Sequence, residues 1–288
     1  LRALFHCLSL GLTAALALIT EASASPRYDV SLAVLHEDNL PRAERRQDRL
    51  ADTALELAGR MSRPLLETER STLLAELGLS ARWWTEHPDL SEFSPALGLR
   101  YWQRLGPDFS APWLELAGTA RGIKTADSVI RDGVETRLGL TLGQRLNTAL
   151  DARMGYSWQL RRAEKTAVFD TANHEVFAQL DWHASERWLV YTGLTARVGD
   201  LVTVSSVPNP KALRHAEAIT PGFDFAFDRS KRRAYRIDGH ALMPELGVNY
   251  RLGEGWSLDL AGTGLVANAR GDNRYHQFGL IASLLWQF

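Results

Sequence analysis

Residues 275–288 read YHQFGLIASLLWQF, and the alternation within them decides the fold. His276, Phe278, Leu280, Ala282, Leu284, Trp286 and Phe288 share one parity, while Tyr275, Gln277, Gly279, Ile281, Ser283, Leu285 and Gln287 share the other. Successive side chains of a strand point to opposite sides, so this period of two marks a strand whose faces meet different surroundings. The pattern recurs upstream. Trp256, Leu258, Leu260 and Gly262 oppose Ser257, Asp259, Ala261 and Thr263; Leu146, Thr148, Leu150, Ala152, Met154, Tyr156 and Trp158 oppose Asn147, Ala149, Asp151, Arg153, Gly155, Ser157 and Gln159.

Twelve such segments are expected, near 28–36, 49–61, 65–79, 95–105, 112–123, 131–143, 146–160, 172–183, 187–203, 233–252, 256–268 and 275–288. Ser62-Arg63-Pro64, Gly106-Pro107-Asp108, Gly143-Gln144-Arg145, Ala184-Ser185-Glu186 and Gly253-Glu254-Gly255 read as short turns. Longer polar segments, 37–48, 80–94, 124–130, 161–171, 204–232 and 269–274, alternate with them. Short turns at one end and long loops at the other predict an all-β chain, a transmembrane antiparallel up-and-down β-barrel of about twelve strands with both termini periplasmic.

A soluble sandwich and a membrane barrel both alternate, so the two faces must be read separately. The polar parity carries Glu56, Arg60, Arg70, Glu76, Arg100, Glu115, Arg121, Glu135, Arg137, Asp151, Arg153, Glu175, Asp181, Arg197, Arg236, Asp238, His240, Arg251 and Asp259, expected to line a lumen. Both signs recur on neighbouring strands, as buried charges require. Tyr28, Trp113, Trp182, Trp188, Tyr250, Trp256 and Trp286 are expected on the apolar face near the short turns, where amphipathic rings form a membrane girdle. Tyr156, Trp158 and Tyr235 are its expected counterpart at the loop end, and Gly239, Ala241, Gly262 and Gly264 are small residues expected between the two belts.

With these features the chain resembles the bacterial (Gram-negative) outer-membrane β-barrel proteins of porin-like type, and the resemblance spans residues 25–288. Trp286-Gln287-Phe288 is similar to the terminal pattern read by the barrel-insertion machinery of that group, which makes Phe288 the implied insertion signal. The opening from Tyr28 to Asn39 with an Arg-rich loop resembles porin-like barrels as well.

Arg2, the apolar run from Leu4 to Ile19 and Ala22-Ser23-Ala24 have the layout of a secretory signal peptide, so 1–24 is expected to be removed, leaving 25–288 as the barrel. Cys7, the single cysteine, falls in that segment, which leaves the barrel without disulfide, thiolate-metal or cysteine chemistry. After residue 20 no apolar run reaches the roughly 18 residues of a membrane helix. A net charge of -1 argues against a nucleic-acid partner.

Strand 233–252 poses a difficulty. Arg236, Asp238 and His240 share one parity, but Glu245, Gly247, Asn249 and Arg251 share the other. A β-bulge near Met243-Pro244 is the expected remedy. The other reading makes 233–243 an extension above the membrane.

No catalytic, cofactor or metal site stands out. His183-Ala184-Ser185 is a turn at the periplasmic end, the wrong place for the lipid hydrolases of outer membranes. Asp238-Gly239-His240 resembles half of the omptin protease site but lacks its second carboxylate pair. His36-Glu37-Asp38-Asn39 offers oxygen and imidazole ligands, and simpler as rim residues. Arg42, Arg45, Arg46, Arg49, Arg161, Arg162, Lys165, Lys211, Arg214, Arg229, Lys231, Arg232 and Arg233 make the loop side basic, suited to lipopolysaccharide phosphates or to drawing anions inward. The expected function is a narrow, charge-lined channel for passive passage of small polar or anionic solutes, in contact with outer-membrane lipid and lipopolysaccharide. Trp102, Phe177, Leu189 and Tyr191 narrow it, and loop 204–232 is the candidate cover. The alternatives are a non-conducting structural barrel and a rim hydrolase using Asp238 and His240.

Overall fold

The structure, a computed structural model, describes residues 25–227 and 231–288. The expected leader over 1–24 lies outside these residues, as does Arg229. All twelve expected segments are strands: β1 (Arg27–Glu37), β2 (Asp52–Glu67), β3 (Ser71–Trp84), β4 (Glu92–Arg104), β5 (Trp113–Thr125), β6 (Gly133–Arg145), β7 (Leu150–Ala163), β8 (Thr171–His183) and β9 (Trp188–Ser206), then, after a two-residue β10 (Ala218–Ile219), β11 (Arg232–Gly253), β12 (Trp256–Ala269) and β13 (Asn273–Gln287). The wall strands pair antiparallel in chain order, and β9 pairs directly with β11. β13 then closes on β1, with Val30 opposite Trp286 and Val34 opposite Ala282. Closure leaves no wall edge unpaired.

Outer and inner walls are inverted relative to a soluble protein. Leu57, Leu99, Leu138, Met154, Val176, Leu194, Leu246, Leu260 and Phe278 are all exposed, and the registers put them on the outside of the wall. An apolar band of this extent requires hydrocarbon around it, which makes the chain an outer-membrane barrel. At the short-turn end the rings of the band stack in sequence. Trp256 lies on Trp286 at 5.1 Å, Trp286 on Phe288 at 4.0 Å and Phe288 on Tyr28 at 5.3 Å, while Trp188 meets Tyr250 at 4.6 Å.

Two expected turns are strand instead. β2 runs through Ser62-Arg63-Pro64, and its register slips between Pro64 and Leu66. Proline has no N–H to give the ladder and is tolerated at such an irregularity. The turn itself follows at 68–70, where the Thr68 hydroxyl accepts from the Ser71 N–H at 3.0 Å. Gly143-Gln144-Arg145 closes β6, and the chain turns over 146–149, so Leu146 and Thr148 belong to no strand.

The expected bulge at Met243-Pro244 is absent. Leu242 opposes Val266 and Glu245 opposes Thr263 in one unbroken register, and the β9 pairing runs evenly from Arg232–Ser206 to Tyr250–Trp188. Constant alternation puts Glu245 inward and His240 outward. The polar parity changes because the chain leaves the membrane, the second of the two readings above.

Above Gly199 and Gly239 the tips of β9 and β11 depart from the wall and form a cap over the long-loop mouth. β8 pairs with β9 only as far as Asn173–Gly199. Gly199 has φ +134, and a Cβ there would stand 2.2 Å from the Ala172 carbonyl oxygen, so the departure requires glycine. One face of the tip, Val204 and Ala234, packs with Leu35, Ala54, Trp84, Val168, Phe169 and Phe227. The other, Leu201, Tyr235 and Ile237, packs with Ala212 of a short helix (Pro210–His215) and with Leu265, Ala267 and Tyr275 of the wall. Loop 38–51 covers the outer edge: the Val204 N–H donates to the Pro41 carbonyl at 2.9 Å, and the Ser206 N–H to Asp48 at 3.1 Å.

We expect Gly199→Ala to loosen this cap and spare the wall. Backbone strain of about 1–3 kcal/mol plus the clash raises the open fraction on the order of tenfold or more. Limited trypsinolysis checks it: faster cutting at Lys211 and Arg214, with the remaining barrel intact, is the expected pattern.

Candidate functional site

Ion pairs climb the inner wall, each joining neighbouring or next-neighbouring strands. Arg60 meets Asp29 at 3.0 Å, and Arg82 donates to Glu56 at 2.7 Å. Arg100 reaches Glu76 and Glu115 at 3.3 and 3.4 Å, and Arg121 reaches Glu135 at 3.3 Å. Glu175, buried, holds Arg197 at 2.6 Å and Arg137 at 3.4 Å and accepts from the Ser157 hydroxyl. Nearer the short turns Asp151 binds Arg145 at 3.0 Å and His183 at 2.9 Å. Cross-strand spacing of about 5 Å makes such pairs the natural product of opposite charges at facing positions. The β11–β13 sector differs, with Tyr191 donating to Asp259 at 2.9 Å and Gln277 donating to Glu37.

Of the residues expected in the lumen, Glu56, Arg60, Glu76, Arg100, Glu115, Arg121, Glu135, Arg137, Asp151, Arg153, Glu175, Asp181, Arg197, Arg251 and Asp259 fall on the inner side of the wall. Four do not. Arg70 sits in the 68–70 turn. Arg236 lies at the cap, bonding the carbonyls of Ala167 and Asp170 and facing Asp200 at 3.6 Å. Asp238 pairs with Arg270 at 3.2 Å on the rim, and His240 shares its face with exposed Val198.

Two expected girdle residues also move. Trp113 shares the inner parity of Glu115; a Cβ on Gly143 would meet its ring at 2.1 Å, and it lines an internal cavity with Trp102, Arg145 and Asp151. Tyr235 is buried in the cap, and Ala241 is buried on the inner face. Trp83 and Phe93 stand exposed at the loop end of the outer wall, hidden from sequence reading because 80–94 looked like loop. Arg82 was missed for the same reason, although Glu76, Gly78, Ser80 and Arg82 continue one parity.

The lumen is a run of cavities. A space of about 970 Å³ opens at the short-turn mouth around Asp29, Arg60, Asn249 and Arg251. About 350 Å³ lies at mid-height between Glu175, Arg197, Glu245 and Met243. About 390 Å³ follows beneath the cap, walled by Arg42, Arg82, Arg121, Arg131, Arg161 and Arg197 against Glu37, Glu92, Glu135 and Asp200, six cations to four anions. Trp84, Phe169, Val204 and Phe227 supply its apolar side.

Arg131 fastens the cap to the wall. It donates 2.9 Å and shorter bonds to both oxygens of Asp224, which is fully buried. Its guanidinium also lies between Phe169 at 4.7 Å and Phe227 at 5.3 Å. Phe227 meets His87 at 5.8 Å, and His87 is held by Asp52 at 2.9 Å. The turn that presents Arg131 is clamped by Asp132. Burial pushes that carboxyl up, yet the Thr125 N–H and hydroxyl together with Lys124 outweigh it and hold it below its ordinary value.

The side chains of the motifs weighed above as chemistry engage separate partners. His183 binds Asp151, while the Ser185 hydroxyl accepts from the N–H groups of Arg187 and Trp188. His36 faces Thr53, Glu37 accepts from Gln277, Asp38 accepts from the Phe278 N–H and Asn39 bonds the Ala43 and His276 backbone. Among the described residues no three metal-ligating side chains converge.

No protein-family model matches the chain, and no curated protein matches it significantly in sequence. Solved structures do share its fold. An outer-membrane channel from Pseudomonas putida F1 superposes with a TM-score of 0.59 at 10% identity, over 91% of this chain and 95% of that one. The NanC porin superposes with a TM-score of 0.50 at 8% identity, over 89% and 98%. Outer membrane phospholipase A from Escherichia coli reaches only 0.45, at 11% identity over 92% and 97%. The shared architecture is that of outer-membrane β-barrels, and what this one does must come from its own lumen.

Proposed function

We propose that this barrel is a narrow, gated channel for passive passage of small polar solutes, anions in particular. The observation that carries the reading is the upper cavity, where guanidinium groups outnumber carboxylates in the lining beneath a cap fastened by the buried Arg131–Asp224 pair among other contacts. The fold shared with an outer-membrane channel and with the NanC porin supports it. Paired charges along the wall offer a permeating ion replacement for lost hydration, and the guanidinium-rich lining of the upper cavity sets the preferred sign. The short-turn mouth is taken as periplasmic and the capped mouth as external. Exposed Arg162, Arg270 and Arg274 on the outer rim suit lipopolysaccharide phosphates. A rim hydrolase has less support, since Asp238 is engaged by Arg270 and both Asp238 and His240 lie on the outer face, away from the lumen.

Planar-bilayer recording tests the channel. Brief openings with a reversal potential displaced toward the anion side in a KCl gradient are expected. A barrel that stays electrically silent at all voltages, with the cap intact and with it unfastened, is a structural barrel and ends the proposal.

A further inference from the structure

Among the described residues, Arg161 and Arg42 are the cations of the upper cavity that the ladder of ion pairs leaves out, and of the two only Arg161 has a buried donor without a partner. It donates a 2.6 Å bond to the Arg131 carbonyl, and its Nε is buried without a partner. Among the described residues no carboxylate stands within ion-pair distance of it. The neighbouring Arg121 has a second buried, unpartnered Nε, although its terminal nitrogen reaches Glu135. Leaving buried donors unsatisfied is costly, and a guanidinium fork matches the two oxygens of a planar oxyanion. Both groups line the same cavity of about 390 Å³, within the roughly 300–1,000 Å³ of small-molecule sites.

The opposite lining narrows the ligand class. Trp84, Phe169 and Phe227 border the cavity, and Phe169 lies 5.9 Å from the Arg161 guanidinium. A polyhydroxylated acid would strand its hydroxyls against these rings. An anion with a compact apolar body satisfies both sides.

We propose that the upper cavity is a binding subsite for small carboxylates with an apolar or aromatic body, with Arg161 receiving the carboxylate and Phe169 and Phe227 flanking the body. This names the solute class of the channel reading and rests on that reading for its role in passage, although binding itself is measured without transport.

Isothermal titration of the full barrel in detergent micelles tests it, with benzoate as the probe and benzyl alcohol and gluconate as controls. Benzoate is expected to bind, benzyl alcohol and gluconate to bind at least about tenfold more weakly, and Arg161→Met to weaken benzoate by about tenfold or more. Because Arg161 has no acidic partner among the described residues, Arg161→Met is also expected to keep the thermal stability of the barrel, a result that separates binding from a structural role. Arg161→Lys keeps the charge without the fork, and an intermediate benzoate affinity supports the site should the Met variant misfold. Equal benzoate affinity in both variants and the parent overturns the subsite, as does benzyl alcohol or gluconate binding as well as benzoate. Anion-selective current without benzoate binding rejects the subsite and leaves the channel. Benzoate binding lost in Arg161→Met, in a barrel that never conducts, rejects the channel and retains the subsite.

Discussion

Asp224→Ala is expected to convert brief openings into sustained conductance. In the closed cap the two carboxylate oxygens of Asp224 neutralise a guanidinium that is itself largely shielded from water. Removing one member of a buried pair costs about 3–5 kcal/mol because the other is left charged and unsolvated. Here the strain has a release. If the cap lifts, Arg131 regains water, so the cost falls on the closed state, and the lower end of that range already changes the open-to-closed ratio by about 10²-fold. Phe227 does not hold the cap alone, since its contact with Arg131 depends on the same guanidinium position. The measurement is open probability in single-channel records, alongside thermal denaturation of the wall. A rise in open time with the barrel melting unchanged is expected. Unchanged gating would show that the apolar packing of Val204, Ala234 and Tyr235 closes the mouth without the pair.

The wall was legible from sequence and the cap was not, for one physical reason. A membrane strand has a greasy environment on one side and a charged one on the other, so parity alone assigns Glu115, Glu135 and Glu175 to the lumen. The tips of β9 and β11 have protein on both faces: Leu201, Thr203, Val204 and Ser205 are buried together, as are Ala234, Tyr235 and Ile237. With no contrast between faces, alternation carries no information. The same limit produced the spurious bulge, because Arg236 packs within the cap and Asp238 and His240 stand at the rim, so none of the three reports the lumen face. Trp113 was a different kind of error. Its identity suggested a girdle, but Glu115 two residues on fixes its facing, and parity should have outranked residue type. Arg131 and Asp224, 93 residues apart in the chain, carry no local signal of their pairing.

Glu175→Gln should raise anion selectivity more than any other single change in the lumen. This carboxylate is shared by Arg197 and Arg137 and also accepts from Ser157, so its loss leaves two guanidinium groups without an acid on the path between the middle and upper cavities. Added unit charge within a few ångströms of a passing ion is worth about 1–4 kcal/mol as the effective dielectric falls from 80 to 20. The lower part of that range corresponds to roughly a tenfold increase in the chloride-to-potassium permeability ratio. Stability is expected to fall as well, by less than the full cost of breaking a buried pair, because Arg137 is 44% exposed and can turn to lumen water. Reversal potentials in a KCl gradient, read in the Asp224→Ala background so that gating does not mask permeation, separate the two effects. Glu175→Asp retains the charge and should hold the parental selectivity even if it loosens the wall. Should Glu175→Gln lower the melting temperature and leave the reversal potential where it was, Glu175 is a strut between β6, β8 and β9, and ions take no route past it.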